Sequence, residues 1–128
     1  MVGAGYGGFD AAKHAAEAGL KVAIVESRDM GGTCVIRGCV PSKALLAASG
    51  KVRELANVPH LAEFGIHSAP VRFERKKIAE HAKNLVETIR KNLTKTLERS
   101  GVEILRGEGR LEGNQTVSYT HLTLPTKA

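Results

Sequence analysis

The chain has 128 residues, room for one domain at most. An apolar fraction of 42% is enough for a core, and no apolar run is long enough to cross a membrane. The formal charge of +6 raises nucleic acid or an acidic surface as a partner, but the cationic residues concentrate on a helix that also carries acids, which makes them a solvated helix face; neither a nucleic-acid nor a membrane partner is expected.

In chain order the first signal is Gly3-Ala4-Gly5-Tyr6-Gly7-Gly8, which fits G-x-G-x-x-G at Gly3, Gly5 and Gly8. Such a fingerprint follows a buried strand of about five residues, and only Met1 and Val2 precede it here. The first strand is therefore expected to be largely missing. Residues 8 to 18 are Ala-rich and predict a slim helix that lies close on a sheet, with Gly19 as its stop. Val22-Ala23-Ile24-Val25 is continuously apolar, as a parallel strand buried on both faces is. It ends in Glu26, eighteen residues after Gly8, where an acidic residue accepts hydrogen bonds from ribose hydroxyls. Together these features predict dinucleotide binding without choosing between NAD and FAD.

Residues 31 to 43, GGTCVIRGCVPSK, hold both cysteines, Cys34 and Cys39. Bridged cysteines need Cα atoms within about 7 Å. Positions i and i+5 of a regular helix lie roughly 8–9 Å apart, so the pair can close only if the helix is interrupted, which the glycines and Pro41 permit. A thiol at a helix N-terminus is favoured as thiolate. A bare C-x4-C is compatible with a redox dithiol, a structural disulfide or two unrelated thiols. Zinc is disfavoured because two further ligands are lacking. A chain without an export signal implies a reducing, cytoplasmic setting, where close cysteine pairs are more often catalytic.

The helix after the dithiol continues over 44–57. Residues 58–70 contain Pro59, Gly65 and Pro70 and predict an irregular connection. The longest helix is predicted from Phe73 to Ser100, with Ile78, Ala82, Leu85, Ile89, Leu93 and Leu97 as one apolar stripe. Gly101 ends it, and Val102-Glu103-Ile104-Leu105 predicts a third parallel strand. Residues 107–113 read as strand and hairpin turn. The five histidines are scattered and read as surface or packing residues.

The dithiol segment and its continuation Ala44-Leu45-Leu46-Ala47-Ala48-Ser49 resemble the active-site motif of the pyridine nucleotide-disulfide oxidoreductases. The likeness is greatest to their dihydrolipoamide dehydrogenase branch, particularly the cyanobacterial kind, and runs from Gly3 to about Gly113. The resemblance implies an α/β fold, a partial Rossmann-like FAD-binding domain over 1–116 truncated at both ends. Residues 117–128 depart from the family pattern, resemble translated adapter sequence and are expected to be a non-native tail. Cys34 corresponds to the thiol that exchanges with substrate, Cys39 to the thiol nearest the flavin, and Lys43 to the lysine near the reactive edge of the isoalloxazine. Gly31, Gly32 and Thr33 correspond to the pyrophosphate and ribityl cradle, and Gly109 to a backbone contact with the adenine end of FAD. The implied activity is oxidation of dihydrolipoamide through the dithiol and FAD to NAD⁺, with NAD⁺ bound outside this segment. The segment alone is expected to be inactive. The implied assembly is a homodimer serving the lipoyl domain of a 2-oxo acid dehydrogenase or glycine cleavage complex.

Ile36 stands where the dihydrolipoamide dehydrogenases commonly have Asn, and Ile36-Arg37 resembles plant-type glutathione reductases. A glutathione or mercuric reductase-like FAD domain is therefore the nearest alternative. A non-redox dinucleotide-binding module with incidental cysteines and a basic helical binding protein are the more distant ones.

Overall fold

A computed structural model describes residues 1–67 and 69–121, the side chains of residues 58, 59 and 121 excepted. Its first five residues lie parallel to strand β1 (Ala23–Glu26). Val2 bridges Val25, the Gly3 N–H donates to the Val25 carbonyl at 2.8 Å, and the Val25 N–H donates to the Met1 carbonyl at 2.9 Å. This short run occupies the position beside β1 where the strand leading into the glycine fingerprint is expected. Helix α1 (Tyr6–Glu17) follows and buries Phe9 and Ala12. On its other edge β1 pairs in parallel with β2 (Glu103–Glu112), from Ala23 opposite Glu103 to Glu26 opposite Arg106.

Helix α1 and the long helix α5 (Arg75–Arg99) deliver the chain to the sheet by the same device. After α1, the Leu20 N–H donates to the Ala15 carbonyl and the Gly19 N–H to that of Ala16; after α5, Val102 donates to Leu97 and Gly101 to Glu98. These are Schellman closures, which need a left-handed residue at the turn, and Gly19 and Gly101 have φ of 85° and 78°. In the second closure the turn is itself part of the core, because Leu97 and Val102 are both buried. They pack with Ala4, Phe9, Ala12, Ile24 and Met30.

Between β1 and α5 stand α2 (Gly32–Ile36), α3 (Cys39–Ala56) and α4 (Val58–Glu63). Helix α3 packs along α5 yet contains no buried residue. Of the predicted stripe on α5, Ala82 and Leu97 are buried, whereas Leu85 is exposed. The stripe is therefore covered unevenly, closed at Ala82 and Leu97 and open at Leu85 between them.

Two elements differ from expectation. The irregular connection contains α4, because a proline in a first helical turn sacrifices no intrahelical bond. The strand expected over 102–105 does not end at Leu105 but continues unbroken to Glu112 as β2, while the strand and hairpin turn expected over 107–113 are present, the chain returning antiparallel as β3 (Thr116–His121). Gly107 permits that pairing, since a Cβ there would meet the Thr120 carbonyl oxygen at 2.2 Å. Residues 117–121 of the predicted tail thus form a strand, and 122–128 lie outside the described residues. Among the described residues no helix is long and apolar enough to cross a membrane.

Candidate functional site: a glycine cradle joined to a dithiol

The three fingerprint glycines meet three different requirements. Gly3 has φ of 92°, which the turn out of the first strand demands. Gly8 lies so close to that turn that a Cβ would sit 2.0 Å from the Gly3 carbonyl oxygen, so only glycine lets α1 approach the strand this closely. At Gly5 a Cβ would meet nothing within 4 Å. The space before this helix N-cap is open, and no side chain caps the first-turn N–H groups of α1. Free N–H groups at the positive end of a helix fit the pyrophosphate of a dinucleotide.

The second glycine pair closes onto the first. Gly31 bridges Gly5, and its N–H donates to the Ala4 carbonyl at 2.8 Å. Gly31 and Gly32 have φ of 96° and 60°. A Cβ on Gly31 would strike Val35, 2.6 Å from its Cγ2, and one on Gly32 would lie 3.0 Å from the Gly5 Cα. Backbone therefore meets backbone where the two segments cross. Thr33 follows, exposed, in the first turn of α2.

Glu26 ends β1 beside this crossing. Its Oε2 accepts from the Ala4 N–H at 2.7 Å and its Oε1 from the Arg28 N–H at 2.7 Å. The carboxylate is half-buried and ties the glycine turn to the end of the second strand. Gly109 belongs to the part of β2 beyond its pairing with β1; a Cβ there would lie 3.1 Å from Val25 Cγ1 and 3.3 Å from Val2 Cγ1.

The cradle leads directly into the thiols. Cys34 is the third residue of α2, and Cys39 is the first residue of α3. The helical path breaks at Arg37 and Gly38, and Gly38 takes φ −123° and ψ −107°. Its Cβ position would be 3.1 Å from the Thr33 carbonyl oxygen and 3.5 Å from the Cys34 Cα. The chain therefore folds back on itself and brings Cys39 against Cys34, the interruption that the spacing requires. Both cysteines are free thiols, Cys34 half-buried and Cys39 exposed. The helix-start position predicts favoured thiolate, and Cys34 departs from this. The neighbouring Cys39, by side-chain hydrogen bonding, together with partial burial, raises the Cys34 thiol above its ordinary value, and the Lys43 charge offsets this only in part.

Lys43 is exposed on α3, within electrostatic reach of Cys34. It borders an apolar trough of about 530 Å³ between α3 and α5, and a second cavity of about 640 Å³ is lined by Ile36, Pro41 and Leu45 together with residues of α5. None of the cradle glycines lines either space. The cradle is a backbone surface rather than an enclosed pocket. Two contributions escape sequence reasoning. Ala4, within the glycine run, is fully buried. Arg90 of α5 donates to Asp29, two residues before Gly31, at 3.3 Å. Sixty-one positions separate that pair, and no local pattern connects them.

Comparison with known proteins agrees with this geometry. The pattern of the family described as pyridine nucleotide-disulphide oxidoreductase matches residues 1–128. The chain belongs to this family. It is 53% identical over 118 residues to a dihydrolipoyl dehydrogenase of Synechocystis sp., covering 92% of this chain and 25% of that protein. It is 52% identical over 119 residues to the chloroplastic dihydrolipoyl dehydrogenase 2 of Arabidopsis thaliana, covering 93% of this chain and 21% of that one. The crystal structure of LpdA from Mycobacterium tuberculosis superposes with a TM-score of 0.79 at 29% identity, covering 94% of this chain and 27% of the other. The chain thus spans about a quarter of the length of the family members it matches. The match and the sheet together establish the α/β fold expected from the sequence.

Proposed function

We propose that the intact protein is a flavin-dependent dihydrolipoyl dehydrogenase and that this chain supplies its FAD cradle and its dithiol. The observation that carries the reading is the junction itself. Gly31 and Gly32 abut Gly5 at the open N-terminus of α1 and at the same time begin the helix that holds Cys34. A dinucleotide on this cradle and a substrate at the thiols would lie side by side.

In this reading Gly3, Gly5, Gly8, Gly31, Gly32 and Thr33 hold the pyrophosphate and ribityl chain, Glu26 accepts the adenosine ribose hydroxyls, and Gly109 borders the adenine end. FAD, when bound, supplies the electron-pair transfer from the dithiol to NAD⁺. The chain's own work is thiol–disulfide exchange. One thiolate of dihydrolipoamide attacks Cys34 of the oxidised Cys34–Cys39 pair; a mixed disulfide forms and Cys39 leaves as thiolate. The second substrate thiolate then displaces Cys34 and releases lipoamide. The substrate is oxidised by one electron pair and the protein disulfide is reduced by it. Lys43, beside the pair, favours the developing thiolates. Supply of the substrate by a lipoyl domain and pairing as a homodimer, whose second subunit completes the site, belong to the same proposal.

Ile36-Arg37 supports a second reading, with glutathione disulfide as substrate. A substrate panel separates the two. Purified intact protein with FAD is expected to reduce NAD⁺ with dihydrolipoamide and to show no NADPH oxidation with glutathione disulfide. The opposite pattern would move the protein to the glutathione branch, and turnover of neither would overturn the disulfide chemistry.

A further inference from the structure

The loop from Ser27 to Met30 carries the chain from β1 into the cradle and is fastened at both ends. At its start, the Arg28 N–H donates to Glu26 and the Arg28 carbonyl accepts from Arg106 Nη1 at 3.1 Å. At its end, Met30 is fully buried and the Asp29 carbonyl accepts from the Gly32 N–H at 3.1 Å. The Asp29 side chain is held by the Arg90 Nη1 at 3.3 Å. Arg90 is itself aimed by Glu87, whose two carboxylate oxygens accept from Nε and Nη2, each at 2.9 Å. A chain of contacts therefore runs from α5 through Glu87, Arg90 and Asp29 to Gly32, and from there to Gly5, where backbone meets backbone.

We propose that Arg90 is a positioning residue for the dinucleotide cradle, acting through Asp29 to hold Gly31 and Gly32 against Gly5. The inference rests on the reading that this cradle binds FAD. Arg90 does not touch the cradle, so its effect is preorganisation: it lowers the conformational freedom the loop loses when ligand binds. The Arg90 and Asp29 side chains are 30% and 42% exposed. An ion pair of that exposure has a modest effect, and loss of the link is expected to weaken FAD binding about threefold to fivefold. Lysine at 90 keeps the charge but lacks the planar fork that serves Glu87 and Asp29 together, so it restores the effect only in part.

The test uses the intact protein stripped of flavin. FAD affinity is titrated by quenching of flavin fluorescence, and the unfolding temperature of the apoprotein is measured alongside, for wild type, Arg90→Leu, Arg90→Lys, Asp29→Asn and the Arg90→Leu/Asp29→Asn double variant. The expected result is a threefold to fivefold weaker affinity in Arg90→Leu and in Asp29→Asn, no further loss in the double variant, partial recovery in Arg90→Lys, and unchanged apoprotein unfolding. Unchanged affinity, additive losses, or losses that track a fall in apoprotein stability would overturn the proposal. Should Arg90→Leu fail to fold, Asp29→Asn decides alone, since it leaves α5 intact. Wild-type apoprotein that takes up no FAD overturns the parent reading instead.

Discussion

Gly8→Ala is expected to weaken FAD binding by about a hundredfold, whereas Gly7→Ala, one position earlier, is expected to leave the fold intact. The two glycines are neighbours in α1 with opposite surroundings. A Cβ on Gly7 would meet nothing within 4 Å, while one on Gly8 would lie 2.0 Å from the Gly3 oxygen and 3.1 Å from its carbon. The obstacle at Gly8 is backbone, so no side-chain rotation relieves it. Either α1 lifts off the glycine turn or the turn itself deforms. Both routes disturb Phe9, Ala12 and Ile24, which form the core directly beneath. Overpacking of this kind costs about 1–3 kcal/mol and more where backbone must move. A displacement near 1 Å at a positioned ligand can cost on the order of a hundredfold, so FAD affinity is expected to fall by about that factor. At Gly7 alanine gains helix propensity, and apoprotein stability is expected to stay level or rise by up to about 1 kcal/mol. FAD titration and apoprotein unfolding of the two variants in the intact protein check both statements. Equal behaviour would mean that α1 does not pack on the glycine turn as described.

Replacing either cysteine is expected to lower dihydrolipoamide turnover of the intact, flavin-loaded protein by about three orders of magnitude or more, and replacing both is expected to be no worse. Residues that act as a unit show such non-additivity, and thiol–disulfide exchange needs an attacked sulfur and a leaving sulfur together. Neither side chain is part of the core, so the variants should fold. A further arm isolates the coupling of the pair. Cys39→Ala removes the first cause that raises the Cys34 thiol, and the Lys43 charge, which acts in the other direction, remains. In reduced apoprotein the Cys34 thiolate should then form at lower pH. Its reaction with a disulfide reagent at neutral pH should quicken even though turnover is lost. An unchanged or slower reaction in Cys39→Ala would contradict the contact between the two thiols.

Much of this site is written locally in the chain. The fingerprint glycines, the apolar strand ending in Glu26 and the C-x4-C segment each carry their signal within a few residues, and the structure gathers them at one crossing. The spacing of Cys34 and Cys39 requires a helix interruption if the pair is to close, because a continuous helix keeps the two apart. The direction of the Cys34 shift is less legible, since the helix-start position argues one way and the adjacent thiol argues the other with greater effect. Residues 58–63 read as a connection because Pro59 stands for a break, yet a proline in a first turn is compatible with helix. The length of β2 is set by its partner β3 rather than by its own glycine-rich composition. The Arg90–Asp29 link joins a charged helix face to a loop, and residue type alone does not distinguish that arginine from its solvated neighbours.

Stepwise anaerobic reduction of the intact, flavin-loaded protein tests most directly whether dithiol and flavin act as one unit. The account predicts that a first electron pair enters the Cys34–Cys39 disulfide while the flavin remains unbleached, and that a second pair is needed to bleach it. In Cys34→Ser the first of these steps should vanish. Complete bleaching of the wild-type protein by a single electron pair, with the cysteines still unreactive toward a thiol reagent, would contradict the coupling of the dithiol to the cradle.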